Sequence, residues 1–225
     1  MPTQLQLRHE FSSYRCWVFD CDGVLLNSNA AKTHAFHDVA LPFGEDVADT
    51  LVSFHIEHGG ISRFVKFQHF FSDILKREPE DGEMEHMLDQ FSQAAKAQLL
   101  SCAKAPHIDY VLQAVAKTGP VYVVSGGMQD ELRDVFAQRG LNHHFSAIFG
   151  SPDTKDTILE RERKNGAMPD PALFIGDAQY DFEVAERFGL DFLFVSDWSE
   201  FSDWQNYFQN KSIMTASAIS DLLTS

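Results

Sequence analysis

Apolar residues along the chain follow two rhythms. Short unbroken runs of strand formers occupy roughly Arg15–Asp20, Val121–Val124, Ala147–Phe149, Ala172–Ile175 and Phe192–Val195. Runs of this length, apolar on every position, read as strands buried on both faces. Between the later runs the apolar residues recur at threes and fours. Ile108, Val111, Leu112 and Val115 form one such stripe, and Leu132, Val135 and Phe136 another. Strand and helix alternating through residues 106–195 predict an α/β parallel sheet with helices on both faces.

Residues 30–104 break this alternation, because no strand pattern is found there. Ala31, Ala35, Phe36 and Val39 predict a helix after the cap-forming Asn27-Ser28-Asn29, and Pro42 ends it. A second helix is predicted over about Glu45–His55. Beyond Gly59-Gly60, the spacing of Ile61, Phe64, Val65, Phe71, Ile74 and Leu75 predicts a third, with Pro79 at its exit. Met84, Met87, Leu88, Phe91, Ala95 and Leu99 predict a fourth over about Glu83–Cys102. The predicted organisation is a core domain of residues 1–29 and 105–225, interrupted by a helical unit of residues 30–104. Residues 1–14 read as a polar lead-in. The tail is expected to add an extended piece and a closing helix with Ile219, Leu222 and Leu223. Trp198, Phe201, Trp204 and Phe208 fit either tail packing or a dimer patch.

Composition narrows the partners. A hydrophobic content of 44%, with 20 phenylalanines, supports a packed core. A formal charge of −15 argues against nucleic acid and anionic membranes, both of which call for a cationic surface. It leaves room for a small phosphorylated molecule held by a metal and a few local cations. Cys16, Cys21 and Cys102 make neither an even disulfide set nor zinc-site spacing. The expectation is a cytoplasmic protein with no secretory signal and no membrane span, a monomer or a homodimer.

Candidate chemistry lies at the strand ends. The first strand stops at Asp20-Cys21-Asp22-Gly23. Burying two carboxylates there is costly unless a cation compensates. Val24, Leu25 and Leu26 follow where a calcium loop would need more acids. Cys21, set between carboxylates, reads as a spacer. The second strand leads to Ser125-Gly126-Gly127, read as exposed N–H groups at a helix start, where an anion could bind. The third leads to Lys155, a cation in a first helical turn, where the dipole disfavours it. The fourth ends at Gly176-Asp177, with Asp181 one turn on. In open α/β sheets ligands bind beyond the carboxyl ends of the strands, so these residues are expected to share one crevice.

These four motifs, in this order, resemble the haloacid dehalogenase-like hydrolase superfamily, and the insertion resembles its helical cap. The subgroup most resembled contains phosphoglycolate phosphatase and β-phosphoglucomutase. The resemblance implies a Rossmann-like, three-layer α/β/α core. It implies an Mg²⁺-dependent phosphatase acting on a small phosphorylated metabolite through an aspartyl-phosphate. Asp20 would be the nucleophile and Asp22 the general acid and base. Ser125, Gly126 and Lys155 would hold the phosphate. Mg²⁺ would be held by Asp20, Asp177 and the backbone of Asp22, and Asp181 would orient Lys155 or a metal-bound water. Ser125 stands where many relatives carry threonine, and in the fourth motif Ala178 stands where a second acid often follows Asp177.

Asp22 argues against carbon–halogen cleavage, since a halide leaves without an acid. As an acid near neutral pH, Asp22 is expected to have a raised pKa, pushed by neighbouring carboxylates. A phosphomutase shares every motif and stays open, as does a non-catalytic phosphate-binding protein on the same fold. In the helical unit, Arg63 and Lys66 are expected to face away from the Ile61–Phe64–Val65 stripe and to contact an anionic or polyhydroxylated substrate. His34, His37, His55 and His58 are expected to be surface or packing histidines.

Overall fold

A computed structural model describes residues 5–224. Six parallel strands form one sheet in the order β3-β2-β1-β4-β5-β6. They are β1 (Cys16–Phe19), β2 (Val121–Met128), β3 (Ala147–Ser151), β4 (Ala172–Gly176), β5 (Asp191–Val195) and β6 (Met214–Ala216). The central position of β1 follows from its composition, since all four residues are buried.

Because side chains alternate along a strand, each strand feeds two cores. Trp17, Phe19, Val121, Val123, Leu173 and Ile175 point to one face. There they meet α5 (Ile108–Ala116) and α6 (Gln129–Gln138). Cys16, Val18, Tyr122, Val124, Phe174 and Phe194 point to the other. That face is covered by α7 (Lys155–Lys164), α8 (Gln179–Arg187) and the short α9 (Trp204–Phe208). The result is the predicted α/β architecture with a parallel sheet between two helical layers.

Four further helices follow β1 directly: α1 (Asn29–Ala40), α2 (Glu45–Glu57), α3 (Arg63–His69) and α4 (Glu83–Ser101). They pack around an apolar cluster of their own, which includes Phe36, Leu51, Phe67, Phe70 and Phe91. A π-helical turn, Phe70–Ile74, closes α3.

The structure corrects several sequence expectations. The inward stripe of α3 is Arg63, Lys66, Phe67 and Phe70, all buried, while Val65 is 44% exposed. The apolar-only stripe Ile61–Phe64–Val65 therefore placed the helix face backwards. Strand β2 runs on through Ser125-Gly126-Gly127 to Met128, with a register irregularity, and α6 starts only at Gln129. The two glycines thus lie in an irregular strand end and not at a helix start. The lead-in is more than polar: Phe11 and Tyr14 are buried in the core, and Leu7 bridges to Leu223. Residues 1–4 of that lead-in, and residue 225, lie outside the described residues. In the tail, Phe208 is buried, Phe201 and Trp204 pack against the same cluster, and Trp198 packs on the other, so these aromatics serve the core. The closing helix at Ile219–Leu222 is a 3-10 turn.

No helix among the described residues is long and apolar enough to cross a membrane.

Phe174 has no exposed surface, and its ring lies tilted against Phe192, centroids 6.3 Å apart, in the centre of the sheet. Phe174→Ala is expected to lower unfolding free energy by about 3–5 kcal/mol in a denaturant titration.

Candidate active site

Register brings the polar strand ends together. Phe19 pairs with Val123 on one side and Ile175 on the other. Asp20 follows Phe19 directly, and Ser125 and Asp177 each lie two residues past its partners. Three acids converge here. One carboxylate oxygen from each of Asp20, Asp177 and Asp181 lies within 4.8 Å of the other two, and all three residues are buried.

Beneath the acids lies Lys155, only 1% exposed. Its Nζ donates to Asp181 Oδ1 at 2.5 Å and sits 3.1 Å from Asp20 Oδ1. The second contact is close enough for attraction but poorly aligned, so Asp20 Oδ1 is buried without a hydrogen-bond donor. Asp181 is fully engaged. Its Oδ2 accepts the backbone N–H groups of Asp177 and Ala178, both at 3.2 Å. Asp177 Oδ2 accepts from Asn29 Nδ2 at 2.7 Å, and the Asp177 carbonyl accepts from Ser199 Oγ at 2.5 Å.

Electrostatics follow from this crowding. Burial pushes the Asp20 carboxyl up to about 7; Lys155 opposes this, while Asp181 and Asp22 reinforce it. Burial, with Asp20 and Asp181 adding to it, holds Asp177 well above the carboxylate range. Burial alone would lower Lys155, but the charges of Asp181 and Asp20 raise it above the ordinary lysine value. The Cys21 thiol is likewise pushed well above its ordinary value, by burial first and then by Asp22, which suits a spacer.

Asp22 behaves otherwise than its neighbours suggest. Burial alone would raise it. However, Lys32 Nζ at 2.5 Å and Ser28 Oγ at 2.5 Å hold it below the usual carboxylate range. The expectation of a raised Asp22 is therefore corrected: its nearest charge is a lysine of α1.

The cavity above the acids is lined by Asp20, Asp22 and Asp177 from the sheet edge and by Lys32, Arg63 and Lys66 from the helical unit. Gly126 and Gly127 also line it; among the described residues Ser125 and Lys155 do not. Ser125 is fully buried, and its Oγ accepts the Gly127 N–H at 3.1 Å. Arg63 bridges α3 to the sheet domain by a paired contact with Glu131, at 2.7 and 3.1 Å, and donates to Ser92 Oγ. Lys66 contacts His55. The helical unit sits tightly on the strand ends: a Cβ placed on Gly126 would lie 2.5 Å from the Gly60 carbonyl oxygen.

Lys32, Asn29 and Ser199 are site residues that motif spacing alone does not single out. Lys32 had a legible signal. It stands at i of the stripe Ala35, Phe36, Val39, a charge on an inward face, and it lies in a first helical turn, the same oddity that marks Lys155. Asn29 reads as helix-start chemistry, and nothing local links it to Asp177.

The oxygen-only donor set, the three-acid cluster and the donor-less Asp20 Oδ1 fit a hard divalent cation such as Mg²⁺. With both Asp181 oxygens occupied, Asp20 and Asp177 are the side chains available to hold it.

A family model for haloacid dehalogenase-like hydrolases matches residues 17–195. No curated protein sequence matches the chain. Among solved structures, a predicted phosphoglycolate phosphatase from Haemophilus somnus superposes with a TM-score of 0.71 at 19% identity, covering 93% of this chain and 96% of that one. A hydrolase from Pseudomonas syringae superposes with a TM-score of 0.71 at 19% identity, over 92% and 95% of the two chains. A haloacid dehalogenase-like family hydrolase from Streptococcus pneumoniae gives 0.65 at 19% identity, over 94% and 98%. At this identity the likeness is one of fold.

Gly23 has φ +73°, and a Cβ there would lie 2.1 Å from Asp177 Oδ2. Gly23→Ala is expected to displace Asp177 and cost about a hundredfold in kcat/KM. A steady-state assay, with circular dichroism to check the fold, tests this.

Proposed function

The chain belongs to the haloacid dehalogenase-like hydrolase family, and we propose that within it the protein is an Mg²⁺-dependent phosphatase. It would hydrolyse a small phosphorylated metabolite through an aspartyl-phosphate. The observation that carries this reading is Asp20 Oδ1. It is buried, lacks a hydrogen-bond donor, and lies beside Asp177 and above the Lys155–Asp181 pair. The phosphatase name of the Haemophilus somnus neighbour supports the same class.

Asp20 and Asp177, with the backbone carbonyl of Asp22, would hold the cation. When bound, it offsets the buried negative charge and that of the arriving phosphate. Asp20 attacks phosphorus, and the bond from phosphorus to the leaving oxygen breaks. Lys155 keeps Asp20 oriented and, with Ser125 beneath the cavity and the Gly126 backbone lining it, favours the charge of the transferred group. Asp181 fixes Lys155 in place.

Asp22 protonates the leaving oxygen and then, ionised, takes a proton from the water that cleaves the aspartyl-phosphate. Lys32 and Ser28 hold Asp22 ionised before substrate arrives. An incoming phosphate adds negative charge beside Asp22 and competes for Lys32, and both effects raise the carboxyl toward a form that can donate. Residues 30–104 would act as a cap that closes over the core of residues 1–29 and 105–225 and excludes water during transfer.

The direct test is Mg²⁺-dependent release of phosphate from p-nitrophenyl phosphate. Asp20→Asn is expected to lose activity by about 10³-fold or more; full activity in that variant removes the proposed nucleophile.

A second prediction concerns pH. With Asp20 up to about 7 in the fold and about 4 in the unfolded chain, the metal-free protein binds more protons than the unfolded chain between those values. It is therefore expected to lose stability as pH rises through that window. Asp177 acts in the same direction. A cation must displace these protons, so the stabilisation by Mg²⁺, read as a shift in melting temperature, should be larger at pH 8 than at pH 6. A Mg²⁺ shift of equal size at both pH values contradicts this.

A further inference from the structure

The cations around the cavity differ in how they are neutralised. Lys32 lies 2.5 Å from Asp22, Arg63 lies 2.7 Å from Glu131, and Lys155 lies 2.5 Å from Asp181. Lys66 has no such partner: among the described residues no carboxylate lies within ion-pair distance of its Nζ. It is 2% exposed and lines the cavity. In its charged form Lys66 can only donate, to His55 Nδ1 at 2.5 Å and to the His55 carbonyl at 3.1 Å, both neutral acceptors, which leaves one N–H without an oxygen or nitrogen acceptor. A buried ammonium served only by neutral groups is an expensive arrangement.

His55 continues the pattern. When the charged Lys66 donates to Nδ1, the ring proton lies on Nε2. That Nε2 is buried without a hydrogen-bond partner. The closest carboxylate oxygen, Glu200 Oε2, is 4.0 Å away, and both Glu200 oxygens accept from Thr33 Oγ1 at 2.9 Å. The His55 ring also packs on Phe36, with centroids 4.4 Å apart. The wall of the cavity formed by the helical unit thus holds a lysine with no carboxylate partner beside a ring nitrogen with no hydrogen-bond partner.

We propose that Lys66 and His55 form a subsite for a second anionic group of the substrate, a carboxylate or a second phosphate, distinct from the phosphoryl that is transferred. This rests on the phosphatase reading above and narrows its substrate class to phosphomonoesters with a second anion. Arg63, tied to Glu131 and Ser92, holds the helical unit to the sheet domain and is not part of the subsite. In the ligand-free protein, burial and the charges of Lys32 and Lys155 push Lys66 down to about 7, with Glu200 and Asp22 opposing. An anion seated against Lys66 restores the charged form, so binding and charging reinforce each other.

The test compares three probes with Mg²⁺ present: 2-phospholactate, 1,3-propanediol bisphosphate and the singly anionic-ended propyl phosphate. Wild type is expected to favour at least one of the first two over propyl phosphate by about tenfold or more in kcat/KM. In Lys66→Met that preference should fall to near parity. The arm that keeps the preference in wild type tells carboxylate from phosphate. His55→Gln should weaken the same preference, and it carries the test if Lys66→Met fails to give a cooperative melt. Calorimetric binding of the same probes to Asp20→Asn, with and without Lys66→Met, gives a readout independent of turnover. Hydrolysis of all three with the same ratios in wild type and Lys66→Met overturns the subsite and leaves the phosphatase reading intact. No hydrolysis, but a binding preference that Lys66→Met removes, overturns the phosphatase reading and supports the subsite. Neither hydrolysis nor selective binding overturns both.

Discussion

The rest of the structure is arranged around a packing of like charges. Asp20, Asp177 and Asp181 meet at the carboxyl ends of β1 and β4, and Lys155 is the cation beneath them. Buried acids repel one another and lose hydration, and one lysine does not balance three carboxylates. The fold tolerates this because the parallel sheet fixes the strand ends rigidly, with fully apolar layers above and below it. Asp181 is satisfied by Lys155 and two backbone N–H groups, and Asp177 by Asn29. Of the three acids, among the described residues, Asp20 is the one with a fully buried oxygen that has no donor. The unmet demand falls on the group proposed to react.

The helical unit adds a second set of charges, mostly of the opposite sign. Lys32, Arg63 and Lys66 all lie on inward faces, and all three line the cavity. Their placement over the acids lowers the cost of burying both sets. On the proposed function it would also tie closure of the unit to the state of the site. Contacts between the two parts are close at Gly60 and Gly126, at Ser62 and Ser151, whose hydroxyls are 2.9 Å apart, and at Arg63 and Glu131. On that proposal substrate entry would loosen some of these, and a bound anion on each side would draw them together again.

Sequence made the sheet side of this site legible and the helical side much less so. Asp20, Ser125, Lys155 and Asp177 each end or follow an uninterrupted apolar run, and the rule that ligands gather beyond strand ends places them together. Stripe reading assumes that inward means apolar. In α3 the inward positions hold Arg63 and Lys66 beside Phe67 and Phe70, so the assumption turned the helix around. Lys32 escaped for the same reason, and with it the pairing that holds Asp22 ionised. Asn29 and Asp177 are separated by 148 residues, and no local pattern links them. Fold and the acidic floor are thus properties of periodicity, whereas the cationic wall is a property of tertiary contact.

The most direct measurement is to quench the protein with acid during turnover of a phosphomonoester in Mg²⁺ and to map its peptides by mass spectrometry. The account predicts one added phosphoryl group on the peptide containing Asp20, absent when Asn replaces that residue. Steady release of phosphate with no phosphoryl on the protein, or with it on another side chain, would contradict the account.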